Sequence, residues 1–176
     1  MKQGSIFWLT GMSGAGKSTL ASTLKSKLNN NFRVNIVDGD IIRDKDDSKL
    51  SFSYNDVLLN NSRIANYCKS IRSDYDLIIV AVIAPYDEIR LIIRNILEPN
   101  FHLVYLKSDI NSLRDRDTKG LYLSADKGLI TNLIGYSDSN PYEEPSNAEL
   151  EIDTSNLSHE KDSFSKLYKY VSENIS

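Results

Sequence analysis

Residues 11–18 combine the residue types that hold a phosphate group, in the order Gly-Met-Ser-Gly-Ala-Gly-Lys-Ser. In this G-x-x-x-x-G-K-S spacing, the glycines let successive backbone N–H groups point at one anion. Lys17 would reach the β- and γ-phosphates, and the Ser18 hydroxyl would bind Mg²⁺. A glycine turn that only caps a helix is the alternative, but the preceding apolar segment, the lysine, the serine and the helical pattern are all in register. We therefore predict an ATP site formed by Gly11, Ser13, Gly14, Ala15, Gly16, Lys17, Ser18 and Thr19.

A second polar group follows the next apolar segment, where Asp38-Gly39-Asp40 is followed by Arg43. Ligands of parallel sheets bind at the carboxyl ends of the strands, so these carboxylates should lie near the phosphate loop. We assign Asp40 to orient and deprotonate an acceptor hydroxyl, and Asp38 to bind Mg²⁺ through water. Together with Lys17, they form the predicted catalytic group, and Arg43 would hold a phosphate of the acceptor. The alternative is an acidic turn between a strand and a helix.

Short apolar segments alternate with helical patterns along the chain, which predicts an α/β fold. Strands are predicted at 5–10, 32–38, 77–83, 102–107 and 149–153. Helices are predicted at 17–28, 55–72, 87–97 and 158–174. The pattern predicts a P-loop NTPase fold of three layers, in which helices cover both faces of a mainly parallel, five-stranded sheet.

Residues 114–145 interrupt this alternation. The segment is polar, has no strong strand pattern and contains Gly120, Gly128, Gly135, Pro141 and Pro145. A loop of this length in a compact domain is usually functional or disordered. Because it carries aromatic and charged residues at specific places, we interpret it as a lid over the site, within one domain that spans residues 1–176.

The composition of the chain limits which molecules this protein is expected to bind and where it is expected to be located. The chain has 176 residues and a formal net charge of -3, which argues against binding to polymeric nucleic acid. Its single cysteine, Cys68, allows no internal disulfide and fits a reducing cytosol. With neither a signal peptide nor an apolar run of membrane-spanning length, we expect a cytoplasmic protein without a membrane partner.

The phosphate loop alone does not say what receives the phosphate. A guanine-specific switch should carry Asn-Lys-x-Asp after a later strand, and the sequence has no such motif. A motor ATPase would normally need a longer chain. A kinase that acts on a small molecule fits this length best, with ATP and a small acceptor as its ligands.

An ordered set of motifs over residues 5–154 resembles the adenylylsulfate kinase family. The set comprises residues 8–19, Asp38-Gly39-Asp40 with Arg43, Phe52-Ser53, Asp56, Asn60, Arg63, Pro85-Tyr86, Arg90, Arg116-Asp117, Lys119-Gly120-Leu121-Tyr122, Gly135, Tyr142-Glu143, Pro145, Glu149-Leu150 and Asp153-Thr154. The resemblance implies an enzyme that phosphorylates the ribose 3′-hydroxyl of adenosine 5′-phosphosulfate (APS). It also implies a homodimer.

The resemblance further implies roles for single residues. Arg43, Asn60 and Lys119 would contact the acceptor nucleotide. Phe52 would stack on its base, and Ile83 would offer its backbone to the anionic tail at the 5′ end. Arg116 would lie over the adenine of ATP and help to close the lid. The alternatives are a core position for Phe52 and solvated charges for Arg116 and Lys119.

The chain departs from the family pattern mainly where the acceptor should bind. Val57 and Ser62 stand where the family has arginines, and Ile41, Ala84 and Leu133 replace an asparagine, a serine and an aromatic residue. Val57 cannot pair with an anion as a guanidinium does. With Leu133, only one aromatic residue is left to clamp the base.

Because of these departures, our preferred acceptor is cytidine 5′-diphosphoramidate, which a relative of the family phosphorylates in bacterial capsule synthesis. It has a smaller base than APS and a P–N group at its tail. Ala84 and Leu133 would then contact the acceptor. The alternative is an APS kinase in which these changes are drift, and a distant alternative is a nucleotide-binding regulator without catalysis.

Overall fold

Five parallel strands form one sheet, in the order β2-β3-β1-β4-β5. The strands are β1 (Ser5–Thr10), β2 (Val34–Asp38), β3 (Leu77–Ala81), β4 (Phe101–Lys107) and β5 (Leu150–Asp153). The structure is a computed structural model that describes residues 3–39 and 51–175. The predicted five-stranded parallel sheet is therefore confirmed.

The central strand β1 is buried over all six of its residues, as expected for a parallel strand covered on both faces. Its side chains alternate between two apolar clusters. Phe7 and Leu9 belong to the first, and Ile6 and Trp8 belong to the second. This period of two is what a strand with both faces buried produces.

Each of the two apolar clusters also contains residues from helices that pack on the sheet. The helices are α1 (Lys17–Leu28), α2 (Tyr54–Ile71), α3 (Asp87–Leu97), α4 (Ile110–Arg116), α5 (Leu121–Asp126) and α6 (Glu160–Asn174). Leucines of α1 and α6 pack with Phe7, and apolar residues of α2 and α3 pack with Trp8. The three-layer prediction is confirmed. Among the helices of the described residues, none is long and apolar enough to cross a bilayer.

The predicted element bounds differ from the observed ones in a few places. Strand β2 begins at Val34 rather than at residue 32, and β3 ends at Ala81 rather than at residue 83. Helix α6 begins at Glu160, two residues later than predicted. The predicted loop 114–145 contains the end of α4 and all of α5, because Gly120, with a φ of 64°, allows a new helix to begin at once.

The buried Arg72 joins three parts of the chain just before β3. Its guanidinium donates to the carbonyl oxygens of Gly4 (3.2 and 2.8 Å), Leu97 (2.7 Å) and Pro99 (2.7 Å). Only 4% of the residue is exposed, and burial lowers the pKa of this guanidinium. Arg72 therefore connects the chain before β1 with the end of α3 and the chain before β4.

Candidate nucleotide-binding site

A cavity of about 860 Å³ lies at the carboxyl edge of the sheet. It is lined by the loop after β1, by Asp38 at the end of β2, by Ala81 at the end of β3, and by Thr154 just after β5. Its volume is within the range of small-molecule sites, which is about 300–1,000 Å³. The sheet topology therefore brings the chemistry-bearing loops to one place, as the strand-end rule predicts.

The phosphate loop has the backbone that its sequence requires. Gly11 has a φ of 153°, and a Cβ there would lie 2.6 Å from the carbonyl oxygen of Leu106, so no other residue fits. Lys17 begins α1, and its Nζ donates to the carbonyl oxygens of Gly11 (2.8 Å) and Met12 (2.9 Å). Residues 13–19 line the cavity. The N-terminus of a helix thus faces the cavity beside a lysine, which suits an anion.

Ser18 and Asp38 meet at this end of the cavity. The Ser18 hydroxyl donates to Asp38 Oδ2 at 2.7 Å. A hydroxyl and a carboxylate supply the oxygen ligands that Mg²⁺ prefers. Mg²⁺ usually binds such groups together with several waters and the phosphates of a substrate. The described residues contain no group of three or more His, Cys, Asp or Glu side chains that could hold a metal by themselves. The pair therefore fits a Mg²⁺ ion that a nucleotide brings, rather than a closed protein site.

Arg116 closes another side of the cavity. Its guanidinium donates to the carbonyl oxygens of Gly14 (3.0 Å) and Thr154 (2.8 Å), and to the Ser108 hydroxyl (2.7 Å). The side chain thus connects the phosphate loop to the loop after β5. This connection holds the guanidinium plane in place at the cavity wall, whereas a solvated lid charge would be mobile.

Tyr122 is hydrogen-bonded to the phosphate loop. Its hydroxyl donates to the carbonyl oxygen of Ser13 at 2.9 Å. Only 2% of the residue is exposed, and burial raises its pKa to about 12, so the hydroxyl keeps its proton at neutral pH. The predicted lid is therefore packed against the loop that it was expected to cover.

A second wall of the cavity is formed around Phe52, and we call it the Phe52 wall. Its members are Phe52, Val57, Asn60, Asn61, Ile83, Leu133 and Ile134. Asn140 holds this wall together, because its amide donates to the carbonyl oxygens of Phe52 and Asn132, each at 2.9 Å. Phe52 and Leu133 were predicted to face the acceptor base, and both line the same cavity as the phosphate loop.

The other residues predicted for the site differ in whether they line the cavity. Lys119 lines the cavity. Ala84 does not: its N–H donates to Thr10 Oγ1 (3.1 Å), and its carbonyl accepts from Arg90 (2.6 Å). The prediction that Ala84 contacts the acceptor is therefore not supported by its position, since the residue is fully buried. Asp40 and Arg43 lie outside the described residues.

Sequence reasoning missed several residues of the cavity. Asn61 was not distinguished from its neighbours on α2, and the chain after β5, which includes Ser155 and Asn156, was not considered. The strand-end rule could have found the second group, because these residues directly follow a parallel strand. The spacing of Asn61 from Val57, Ile64 and Cys68 could have placed it on the buried face of α2, because these residues recur at helical intervals.

The chain is similar to proteins of one family over nearly its whole length. The adenylylsulphate kinase family matches residues 3–153. The adenylyl-sulfate kinase of Bacillus pumilus is 40% identical over 170 residues, which cover 96% of this chain and 85% of that protein. The adenylyl-sulfate kinase of Rippkaea orientalis is 35% identical over 98% of this chain and 93% of its own length.

A solved structure shows the same fold at full length. The APS kinase of Mycobacterium tuberculosis, in complex with AMPPNP and APS, superposes with a TM-score of 0.86 at 26% identity, over 98% of this chain and 99% of that one. The predicted P-loop kinase fold is confirmed by this match. On these similarities and on the phosphate loop described above, the chain is an ATP-dependent nucleotide kinase that belongs to the adenylylsulphate kinase family.

Proposed function

We propose that this protein transfers the γ-phosphoryl group of ATP to the ribose 3′-hydroxyl of a nucleoside 5′-diphosphate analogue. The observation that carries the proposal is one cavity with two unlike groups of lining residues. The phosphate loop and the Ser18–Asp38 pair form one part of its lining, and the largely apolar Phe52 wall forms another. Such a cavity can hold a triphosphate and a second nucleotide with their reacting groups together.

In the proposed reaction, the 3′-oxygen of the acceptor attacks the γ-phosphorus of ATP. The bond from this phosphorus to the β–γ bridging oxygen breaks, and ADP leaves. Asp40, to which the sequence assigns this role, takes the proton of the hydroxyl. Lys17 stabilises the negative charge that develops on the phosphates. Ser18, and Asp38 through water, would hold Mg²⁺, which neutralises phosphate charge when bound.

The first candidate for the acceptor is APS. Its support is the set of named relatives, which are adenylyl-sulfate kinases and of which the chain covers most of the length. Phe52 would then stack on the adenine, a contact worth about 1–3 kcal/mol. Lys119, Arg43 and Asn60 would contact the same nucleotide, as the family resemblance implies.

The second candidate is cytidine 5′-diphosphoramidate, which the relatives named above do not support. The observation that favours it is the apolar character of the Phe52 wall. Val57 lines the cavity and is 5% exposed, at a position where the family pattern has an arginine. Leu133, also on this wall, leaves a single aromatic ring for the base. A pyrimidine requires less stacking surface than a purine.

A direct comparison of the two acceptors tests the proposal. Consumption of ATP by the purified protein would be measured with APS and with cytidine 5′-diphosphoramidate, and the position of the new phosphate would be determined by ³¹P NMR. Phosphorylation of the 3′-hydroxyl of either compound supports the proposed function. A higher kcat/KM for APS rejects the second candidate, and no phosphorylation of either rejects the proposed function.

The combined substitution Val57→Arg and Leu133→Phe should shift the preference toward APS. It restores a guanidinium for the anionic tail and a second aromatic ring for the purine. Because a charge-assisted hydrogen bond is worth about 1.5–3 kcal/mol, the ratio of kcat/KM for APS over the cytidine compound should rise about tenfold or more. The measurement is the same ATP consumption assay.

The matched control combines Leu59→Arg with Leu133→Phe. Leu59 lies on the same helix as Val57, but it is 42% exposed and does not line the cavity. The substitution Leu59→Arg therefore adds the same charge outside the site. An equal shift in both variants would mean that position 57 does not contact the tail.

A further inference from the structure

The peptide group between Ser13 and Gly14 lies in the phosphate loop, and both residues line the cavity. Its carbonyl oxygen accepts a hydrogen bond from the Tyr122 hydroxyl at 2.9 Å. At the other end of the same peptide is the N–H group of Gly14, for which the described residues provide no backbone acceptor. The next N–H group, that of Ala15, donates to the carbonyl oxygen of Met12 at 3.2 Å. Gly14 therefore offers a donor that the loop itself does not use.

The direction of this N–H group follows from the hydrogen bond to the carbonyl. In a planar trans peptide, the C=O and N–H bonds point in opposite directions. A hydrogen bond that holds the carbonyl of Ser13 toward Tyr122 therefore turns the N–H group of Gly14 away from Tyr122. Tyr122 does not line the cavity, whereas Gly14 does, so the side of the loop away from Tyr122 is the side of the cavity.

The loop alone would not hold this peptide in one orientation. The peptide rotates through ψ of Ser13 and φ of Gly14, and Gly14 has a φ of 77°. Because glycine adopts positive and negative φ about equally readily, the peptide has more than one accessible orientation. The hydrogen bond from Tyr122 favours the orientation in which the carbonyl points at the hydroxyl.

Tyr122 is itself held firmly in the lid segment. Only 2% of the residue is exposed, and its ring packs edge to face against the ring of Tyr136, with 5.4 Å between the ring centroids. Its backbone N–H donates to Asp117 Oδ1 at 3.1 Å. A carbonyl oxygen can only accept, so the Tyr122 hydroxyl must be the donor to Ser13. Tyr122 can therefore hold the carbonyl of Ser13 in one direction.

We propose that Tyr122 is a positioning residue for ATP. By binding the carbonyl oxygen of Ser13, it directs the N–H group of Gly14 toward a phosphate oxygen of the bound nucleotide, while its hydroxyl does not contact the nucleotide. The inference concerns only the ATP site, so it goes beyond the proposed function and is the same for either acceptor. It gives part of the predicted lid a role in binding ATP that requires no movement of the lid.

The test removes one oxygen atom, because Tyr122→Phe deletes the hydroxyl and keeps the ring. Tyr136→Phe is the matched control. Its ring contacts that of Tyr122, but its hydroxyl donates to Asp126 and it does not line the cavity. Calorimetry would measure Kd for ADP with Mg²⁺, well below the Tm of each protein. Tyr122→Phe should raise this Kd about three- to tenfold, since an ordinary hydrogen bond no longer orients the peptide, and Tyr136→Phe should leave it within about twofold.

The amide resonance of Gly14 gives a readout that a merely structural role of Tyr122 would not change. The chain has eight glycines, so the NMR spectrum of protein labelled with [¹⁵N]glycine contains few signals. In the wild type and in Tyr136→Phe, saturating ADP should move the Gly14 amide proton downfield, as a hydrogen bond to a charged oxygen does. In Tyr122→Phe, saturating ADP should move it less than about half as far.

Three results would overturn the proposal. The first is a Kd for ADP within about twofold of wild type in Tyr122→Phe, and the second is a Gly14 displacement equal to that of the wild type. If the Tm of Tyr122→Phe falls while both stay unchanged, Tyr122 is a structural residue only. The third is an equal loss of ADP binding in Tyr136→Phe, because the effect would then not depend on the Ser13 carbonyl. Since ADP binding needs no acceptor, failure to phosphorylate either acceptor would contradict only the proposed function.

Discussion

Replacing Lys17 by methionine should lower kcat/KM about 100- to 1,000-fold with any acceptor that the wild-type protein uses. The expected size is that of removing one preorganised group that stabilises transition-state charge. Methionine keeps the apolar stem of lysine and removes only the charge and the donors. The measurement is steady-state consumption of ATP, with APS and cytidine 5′-diphosphoramidate as acceptors.

The structure supplies a matched control for this change. Lys27 lies on the same helix as Lys17, but it is exposed and does not line the cavity. Lys27→Met should leave kcat/KM within about twofold. If Lys17→Met keeps more than about a third of the wild-type activity, the loop does not hold the transferred phosphate in the way that we propose. Circular dichroism would separate loss of fold from loss of activity, since Lys17 also donates to two loop carbonyls.

Replacing Arg72 by methionine should lower the stability of the protein by about 3 kcal/mol. The guanidinium is the donor for the carbonyl oxygens of Gly4, Leu97 and Pro99. Gly4 and Leu97 are buried, so their carbonyls have little access to water once the guanidinium is removed. For a chain of this length, the loss corresponds to a Tm lower by about 6–12 °C. Calorimetric melting of wild type and variant at the same concentration measures it.

Arg33→Met is the control for this prediction. Arg33 pairs with Asp76 at 3.1 Å, but its side chain is 63% exposed. Exposed ion pairs contribute little because water screens them, so this variant should melt close to wild type. Equal changes in Tm for the two arginines would show that the carbonyls of Gly4 and Leu97 find other donors.

The parts of the site that depend on local chemistry could be predicted from the sequence. The phosphate loop needs glycine at Gly11 because a neighbouring carbonyl leaves no room for a Cβ, and its spacing to Lys17 and Ser18 follows from the helix that begins there. Asp38 was found because the end of a parallel strand has a known place in the fold. The alternation of apolar segments predicted the three layers.

The parts that depend on packing between distant elements could not be predicted in this way. Ala84 and Ile83 are adjacent in sequence, but only Ile83 lines the cavity, because Thr10 and Arg90 bind the backbone of Ala84. Asn61 is oriented by a carbonyl 22 residues away. The acceptor roles, the homodimer and the single-domain organisation stay predictions, and no described residue tests Asp40 or Arg43.

Both ends of the predicted lid are held by hydrogen bonds, which affects how this fold can change during evolution. Arg116 attaches one end to the phosphate loop, and Asn140 attaches the other end to Phe52. The chain between them starts and finishes at positions that the core already holds. Since the entropy of closing a loop grows only slowly with its length, an insertion at an exposed position of this segment has a small effect on folding. The segment can therefore change in length under selection for a new acceptor, while the sheet and the phosphate loop stay unaltered.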